Sequence, residues 1–167
     1  RRPLQPGHRD LRERAVIDPR WAALGAREFR LDPPFEIGRE AVRDFARAVL
    51  ETDPVHHDVS AARAAGHPDL IAPATYLSTL ALRFALPARR SPDLGLDLTR
   101  MVHGGQRFAA RRPLYAGDVL GAVTRFVQLR PAGPHVRVET ETEVWDERDG
   151  TPVGTAGHVC VVLGGAA

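Results

Sequence analysis

Between positions 136 and 144, Val136, Val138, Thr140, Thr142 and Val144 alternate strictly with Arg137, Glu139, Glu141 and Glu143. A period of two places the first set on one face of a strand and the charges on the other, which predicts a half-buried antiparallel strand. The segments near 100–112, 119–130 and 152–163 read as strands too. Asp149–Gly150 between two of them predicts a tight hairpin, and the YAGD of 115–118 predicts another turn.

The first half of the chain keeps a different rhythm. FEIG at 35–38 fits a short first strand. Glu40 then introduces a helix whose Ala41, Val42, Phe45, Ala46, Val49 and Leu50 share one face, and which must stop before Pro54. Ser60 is placed to cap a short helix, AARAAG, ended by Gly66. Pro73 opens an almost wholly apolar helix, ATYLSTLALRFAL, expected to run to about Leu86 before Pro87 ends it. A helix apolar on most of its surface needs wrapping, and the strands that follow are the material for it. Residues 1–34, rich in arginine and broken by five prolines, predict an irregular leader with one helical turn near 21–24. The resulting fold class is α+β: a leader over 1–34, one domain over 35–163 and a tail over 164–167.

Composition narrows the function. At 167 residues, 43% hydrophobic and 26% charged, the chain fits one globular domain that buries roughly two-thirds of its extended surface. No apolar run is long enough to span a bilayer, and no membrane partner is expected. All 23 basic residues are arginine and they are scattered among 21 acids, with a formal charge of +2. That pattern lacks the basic stripe of a nucleic-acid binder and points to a GC-rich genome. The lone cysteine, Cys160, lies in HVCVVL, reads as a buried thiol and excludes an internal disulfide, so a reducing cytoplasm is the expected location.

The chemistry gathers in LETDPVHHDVSAARAAGHPDLIAPATYL, residues 50–77, which brings Glu51, Asp53, His56, His57 and Asp58 into one loop between helices. Asp53 and Asp58 are candidates to line a pocket, and they also suit turn and cap positions, because short carboxylates bond nearby backbone amides. His57 alternates away from His56 and is expected to be exposed. His103 and Gly104, on a predicted strand where the backbone can approach a ligand, are further candidates to line a pocket. The remaining histidines carry no metal-ligand spacing, and Gly104–Gly105 lacks the context of a nucleotide loop. No cofactor or metal is called for.

TDPVHHD, AARAAG, IAP and VHGGQRFAARRPLYAGDVL together resemble the MaoC-like hot-dog hydratases and dehydratases, in particular the dehydratase N-terminal branch of actinobacterial fatty-acid synthesis. The likeness runs from about Phe35 to Val162. It implies a central helix wrapped by a curved five-stranded antiparallel sheet, a homodimer or a heterodimer with another hot-dog subunit, and an acyl thioester substrate carried by acyl carrier protein or coenzyme A. Active relatives carry a loop similar to Gly-Asp-x-Asn-Pro-x-His-x-Asp. On this sequence the glycine falls on Leu50, the first aspartate on Glu51, the asparagine on Asp53, the proline on Pro54, the histidine on His56 and the last aspartate on Asp58. The resemblance therefore implies that His56 and Glu51 transfer protons between 3-hydroxyacyl and 2-enoyl thioesters, and that the Ala74 N–H binds the thioester oxygen. Glutamate for aspartate moves the carboxylate outward, which keeps two alternatives open: a non-catalytic acyl-binding subunit of a heterodimeric dehydratase, and a thioesterase or conjugate-addition enzyme.

Overall fold

The computed structural model describes residues 19–164. Residues 1–18 of the expected leader and 165–167 of the expected tail lie outside the described residues. The elements, in chain order, are α1 (Pro19–Gly25), β1 (Phe29–Arg30), β2 (Phe35–Glu36), α2 (Arg39–Ala48), a 3₁₀ turn at Pro54–His56, α3 (Val59–Ala64), α4 (Tyr76–Phe84) and α5 (Leu86–Arg89). Two further 3₁₀ turns lead into β3 (Met101–Ala110), β4 (Val119–Ala132), β5 (His135–Asp146) and β6 (Pro152–Val162). The antiparallel sheet has the order β1-β4-β5-β6-β3, with β2 on the same edge of β4 as β1.

All four long strands fall where their patterning predicts them. In β5 every residue of the Val136–Val144 set is buried, and Thr142 meets Thr124 of β4 through their hydroxyls at 2.8 Å. The sheet has six strands rather than five because 29–30, expected to be part of an irregular leader, pairs with β4. Phe29 sets its ring edge-on to Phe126 at 5.7 Å, and the Leu31 N–H donates to the Ala122 carbonyl at 2.9 Å. Trp21 and Leu24 of α1 are buried, and the Trp21 indole donates to the Leu94 carbonyl at 3.1 Å. Trp21, Leu24 and Phe29 thus tie this part of the expected leader to the sheet, with the helical turn expected near 21–24 present as α1.

The curved sheet wraps α4, whose Tyr76, Leu77, Leu80, Ala81 and Phe84 are all buried. Close approach is possible because Gly154 has no side chain: a Cβ there would stand 2.7 Å from the Leu77 methyl and 2.5 Å from the Ala109 carbonyl oxygen. This central helix is shorter than the sequence suggests. Pro73, Ala74 and Thr75 form the turn before it, and after a one-residue break at Ala85 the short α5 begins at Leu86 with Pro87 in its first turn. Two apolar clusters result. One, around Tyr76, Leu77, Leu114 and Val153, supports the loop at the N-terminal end of α4. The other, around Trp21, Leu94, Val138 and Cys160, fills the opposite end. No helix of the described residues is long and apolar enough to cross a membrane.

Candidate active site

The loop begins at the end of α2. The Glu51 N–H donates to the Ala46 carbonyl at 2.9 Å and the Leu50 N–H to the Arg47 carbonyl at 3.2 Å, the paired bonds of a Schellman ending. That ending needs a left-handed residue, and Leu50 supplies it at φ 60°. Leu50 therefore leaves the buried stripe predicted for it and stands 86% exposed. Glu51 emerges directly beyond this reversal.

Local caps then shape the loop. Asp53 accepts from the Val55 N–H at 3.0 Å and starts the 3₁₀ turn that carries His56. Asp58, not Ser60, caps α3, accepting from the Ser60 and Ala61 amides at 2.6 and 3.1 Å. The His56 Nδ1 lies 2.6 Å from the Ile71 carbonyl oxygen. A carbonyl can only accept, so Nδ1 carries a proton, and in the neutral ring Nε2 holds the lone pair. His57 is half-buried, contrary to the exposure expected of it. Its Nε2–H donates to the Glu51 carbonyl at 2.8 Å, while the Arg43 Nε–H donates to the His57 carbonyl at 2.8 Å. The backbone of Glu51 is thereby tied to α2 through two side chains.

The IAP segment is pinned from the other side. The Ala72 N–H donates to Leu114 O at 2.8 Å and the Ala116 N–H to Leu70 O at 2.9 Å, with Ile71 and Tyr115 paired between them. Asp69, gripped by the Arg39 fork at 2.9 and 2.7 Å, anchors the approach to this bridge. The hairpin that receives it is held by charge. Arg112 donates to Asp118 at 2.7 Å and to Asp146 at 3.1 Å, and Arg148 donates to Asp146 at 2.8 Å. Bonding to Arg148, with the charge of Arg112 adding to it, holds the Asp146 carboxyl down at about 2 despite its burial.

These three segments enclose one cavity of about 560 Å³, lined by Glu51, His56, Ile71, Ala72, Pro73, Ala74 and Leu77 on one side and by residues 110–114 on the other. Glu51, His56 and Ala74 thus share a wall. The Ala74 amide lies in the turn preceding α4, two residues before the helix begins, and has no backbone acceptor among the described residues. Unpaired N–H groups at a helix entrance favour developing negative charge. The other candidates lie elsewhere. Asp53 and Asp58 are committed to their caps and do not border the cavity. His103 and Gly104 sit at the far end of β3, at a bulge against β6, with His103 bordering a different cavity. Arg111 and Arg112 line the first cavity and were not singled out from the sequence as site residues; the only signal was their position at the start of the RPL hairpin. Among the described residues no cluster of His, Cys, Asp and Glu is arranged to hold a metal.

Residues 25–156 match the model of the FAS1-like, dehydratase domain region family. The chain belongs to the MaoC-like hot-dog dehydratases. A UPF0336 protein of Saccharopolyspora erythraea is 39% identical over 140 residues, covering 84% of this chain and 89% of that protein. Among solved structures, a chain of the C-terminally truncated HadBC (3R-hydroxyacyl-ACP dehydratase) complex of Mycobacterium tuberculosis superposes with a TM-score of 0.71 at 30% identity, covering 81% of this chain and 94% of the other. The (R)-hydratase of A. caviae involved in PHA biosynthesis shares the fold, with a TM-score of 0.61 at 22% identity over 80% of this chain and 92% of the other. The arrangement around α4 is thus a dehydratase-family arrangement, and the loop bearing Glu51 and His56 lies within the matched region.

Proposed function

We propose that the protein is an (R)-type hydratase or dehydratase that interconverts 3-hydroxyacyl and 2-enoyl thioesters on acyl carrier protein or coenzyme A. The observation that carries this reading is the shared cavity wall: a histidine with a free Nε2, a carboxylate and an unpaired amide border one apolar-walled space. In the dehydrating direction His56 Nε2 takes the proton from C2, the electron pair forms the C2–C3 double bond, and Glu51 gives a proton to the C3 hydroxyl, which leaves as water. In the hydrating direction Glu51 takes a proton from water as its oxygen bonds to C3, and His56 returns one to C2. The Ala74 N–H faces the thioester oxygen, where negative charge grows as the C2–H bond breaks. Leu77 and Leu114 offer the acyl chain an apolar wall, and Arg111 lies at the cavity for a carrier phosphate.

Dimerisation belongs to the same proposal. β3 has one neighbour, β6, among the described residues, so its outer edge is free to continue the sheet into a second hot-dog subunit. The HadBC complex, built of two different chains, favours a second reading in which this chain holds the acyl group for a catalytic partner. The exposed and lengthened carboxylate of Glu51 fits that reading too.

Product analysis with crotonyl thioester separates these readings. The purified chain is expected to release 3-hydroxybutyryl thioester, and His56→Ala to lose about a hundredfold or more of the rate with its circular dichroism unchanged. Activity only after addition of a second hot-dog chain would favour the partner role, and free thiol without hydroxyacyl product would favour a thioesterase.

A further inference from the structure

A second cavity, of about 450 Å³, opens at the other end of the central helix, away from Glu51 and His56. Its walls are Leu82 and Leu86 from the helical side, Leu98 from the turn before β3, Met101 from the start of β3 and Cys160 from β6; Arg89 is set among them. Arg89 is 7% exposed. Its Nε and Nη2 have no hydrogen-bond partner, and among the described residues no carboxylate pairs with it. Burial pushes the guanidinium itself down, and neither titratable neighbour on β6 supplies a counter-charge. The Cys160 thiol is pushed up by burial and stays neutral. His158, whose ring stands 6.0 Å from that of His103, is held neutral by burial and by the charge of Arg89. A guanidinium buried without a counter-charge is costly, and an unpaired buried donor of this kind points to a missing partner.

We propose that this cavity binds an aliphatic carboxylate, its head group neutralising Arg89 and its chain lying on Leu82, Leu86, Leu98 and Met101. Nε and Nη2 are sealed towards the interior, so Nη1 is the nitrogen that meets the ligand. One carboxylate balances one guanidinium, whereas a phosphate dianion would bring an unmatched charge into an apolar space. The exposed Arg90 lies at the rim and adds attraction without closing the site. This site does not depend on the reaction proposed for the first cavity.

The chain contains a single methionine, and it is Met101, so ¹³C-methyl labelling of methionine reports directly on this wall. Decanoate titrated into the intact protein is expected to shift the Met101 signal saturably. Decanol should bind about tenfold more weakly or worse, and inorganic phosphate should leave the signal in place. Arg89→Leu, which keeps Met101 the single labelled methionine, is expected to weaken decanoate binding by about tenfold or more, leave decanol unchanged and raise the melting temperature, because a buried unpaired charge is removed. Equal binding of decanoate and decanol by the unaltered protein would overturn the proposal, a result available even if the variant fails to fold. So would undiminished decanoate binding by Arg89→Leu, or a variant whose only change is loss of self-association.

Discussion

Leu50 is the residue at which local conformation and sequence disagree most openly. Helical periodicity assigns it to the buried stripe of α2, yet the helix ends two residues earlier and Leu50 turns left-handed to make the Schellman reversal. Periodicity carries no information about where a helix reverses. The motif comparison did carry it, since glycine stands at this place in the related loop and glycine alone enters that conformation without steric cost. Leu50→Gly is therefore expected to stabilise the fold by about 1 kcal/mol, measured by urea denaturation; a loss of stability would show that the exposed leucine makes a contact absent here. His57 offers the opposite lesson. A second histidine beside the first looks redundant in sequence, and only the three-dimensional turn shows that its ring holds the Glu51 carbonyl.

At the scale of elements, the strands were legible because a one-sided sheet writes its burial directly into a period of two. The central helix was legible in existence and in its apolarity. Its start was not, because Pro73 is compatible both with a first helical turn and with the turn that precedes one. The ion pairs joining the two hairpins were invisible, since nothing in the spacing of Arg112, Asp118, Asp146 and Arg148 brings them together before the strands pair. They and β6 make folding sensitive to acid. His158, buried on β6, is held down at about 4 against an ordinary 6.5, first by burial and then by the charge of Arg89. Between those values the unfolded chain takes up a proton that the native state refuses, so stability falls as pH drops through that window, by up to about 3 kcal/mol. Asp146, held at about 2 against 3.8, contributes stability that is present above 3.8 and lost as pH falls through about 2. Urea midpoints should decline from pH 7 to pH 4.5, and His158→Gln should flatten that slope. A slope unchanged in the variant would remove His158 from the account.

Across the whole molecule, three segments far apart in sequence, the loop after α2, the IAP turn and the RPL hairpin, meet around one cavity because the wrapped helix ends where all three converge. Their order was readable as a family resemblance, and their convergence required the fold. The same architecture leaves a second cavity at the opposite end of the helix, where Arg89 waits for a counter-charge. The central claim concerns the first cavity: His56 moves a proton to and from C2 of an acyl thioester while Glu51 serves C3. Exchange of the C2 position in deuterated water tests it most directly, read by mass spectrometry and proton NMR on crotonyl thioester incubated with the purified chain. The account predicts a (3R)-hydroxyacyl product carrying one deuterium at C2, with incorporation lost in His56→Ala and addition of water lost in Glu51→Gln. Deuterium entering at C2 as fast with His56→Ala as with the unaltered protein would contradict it.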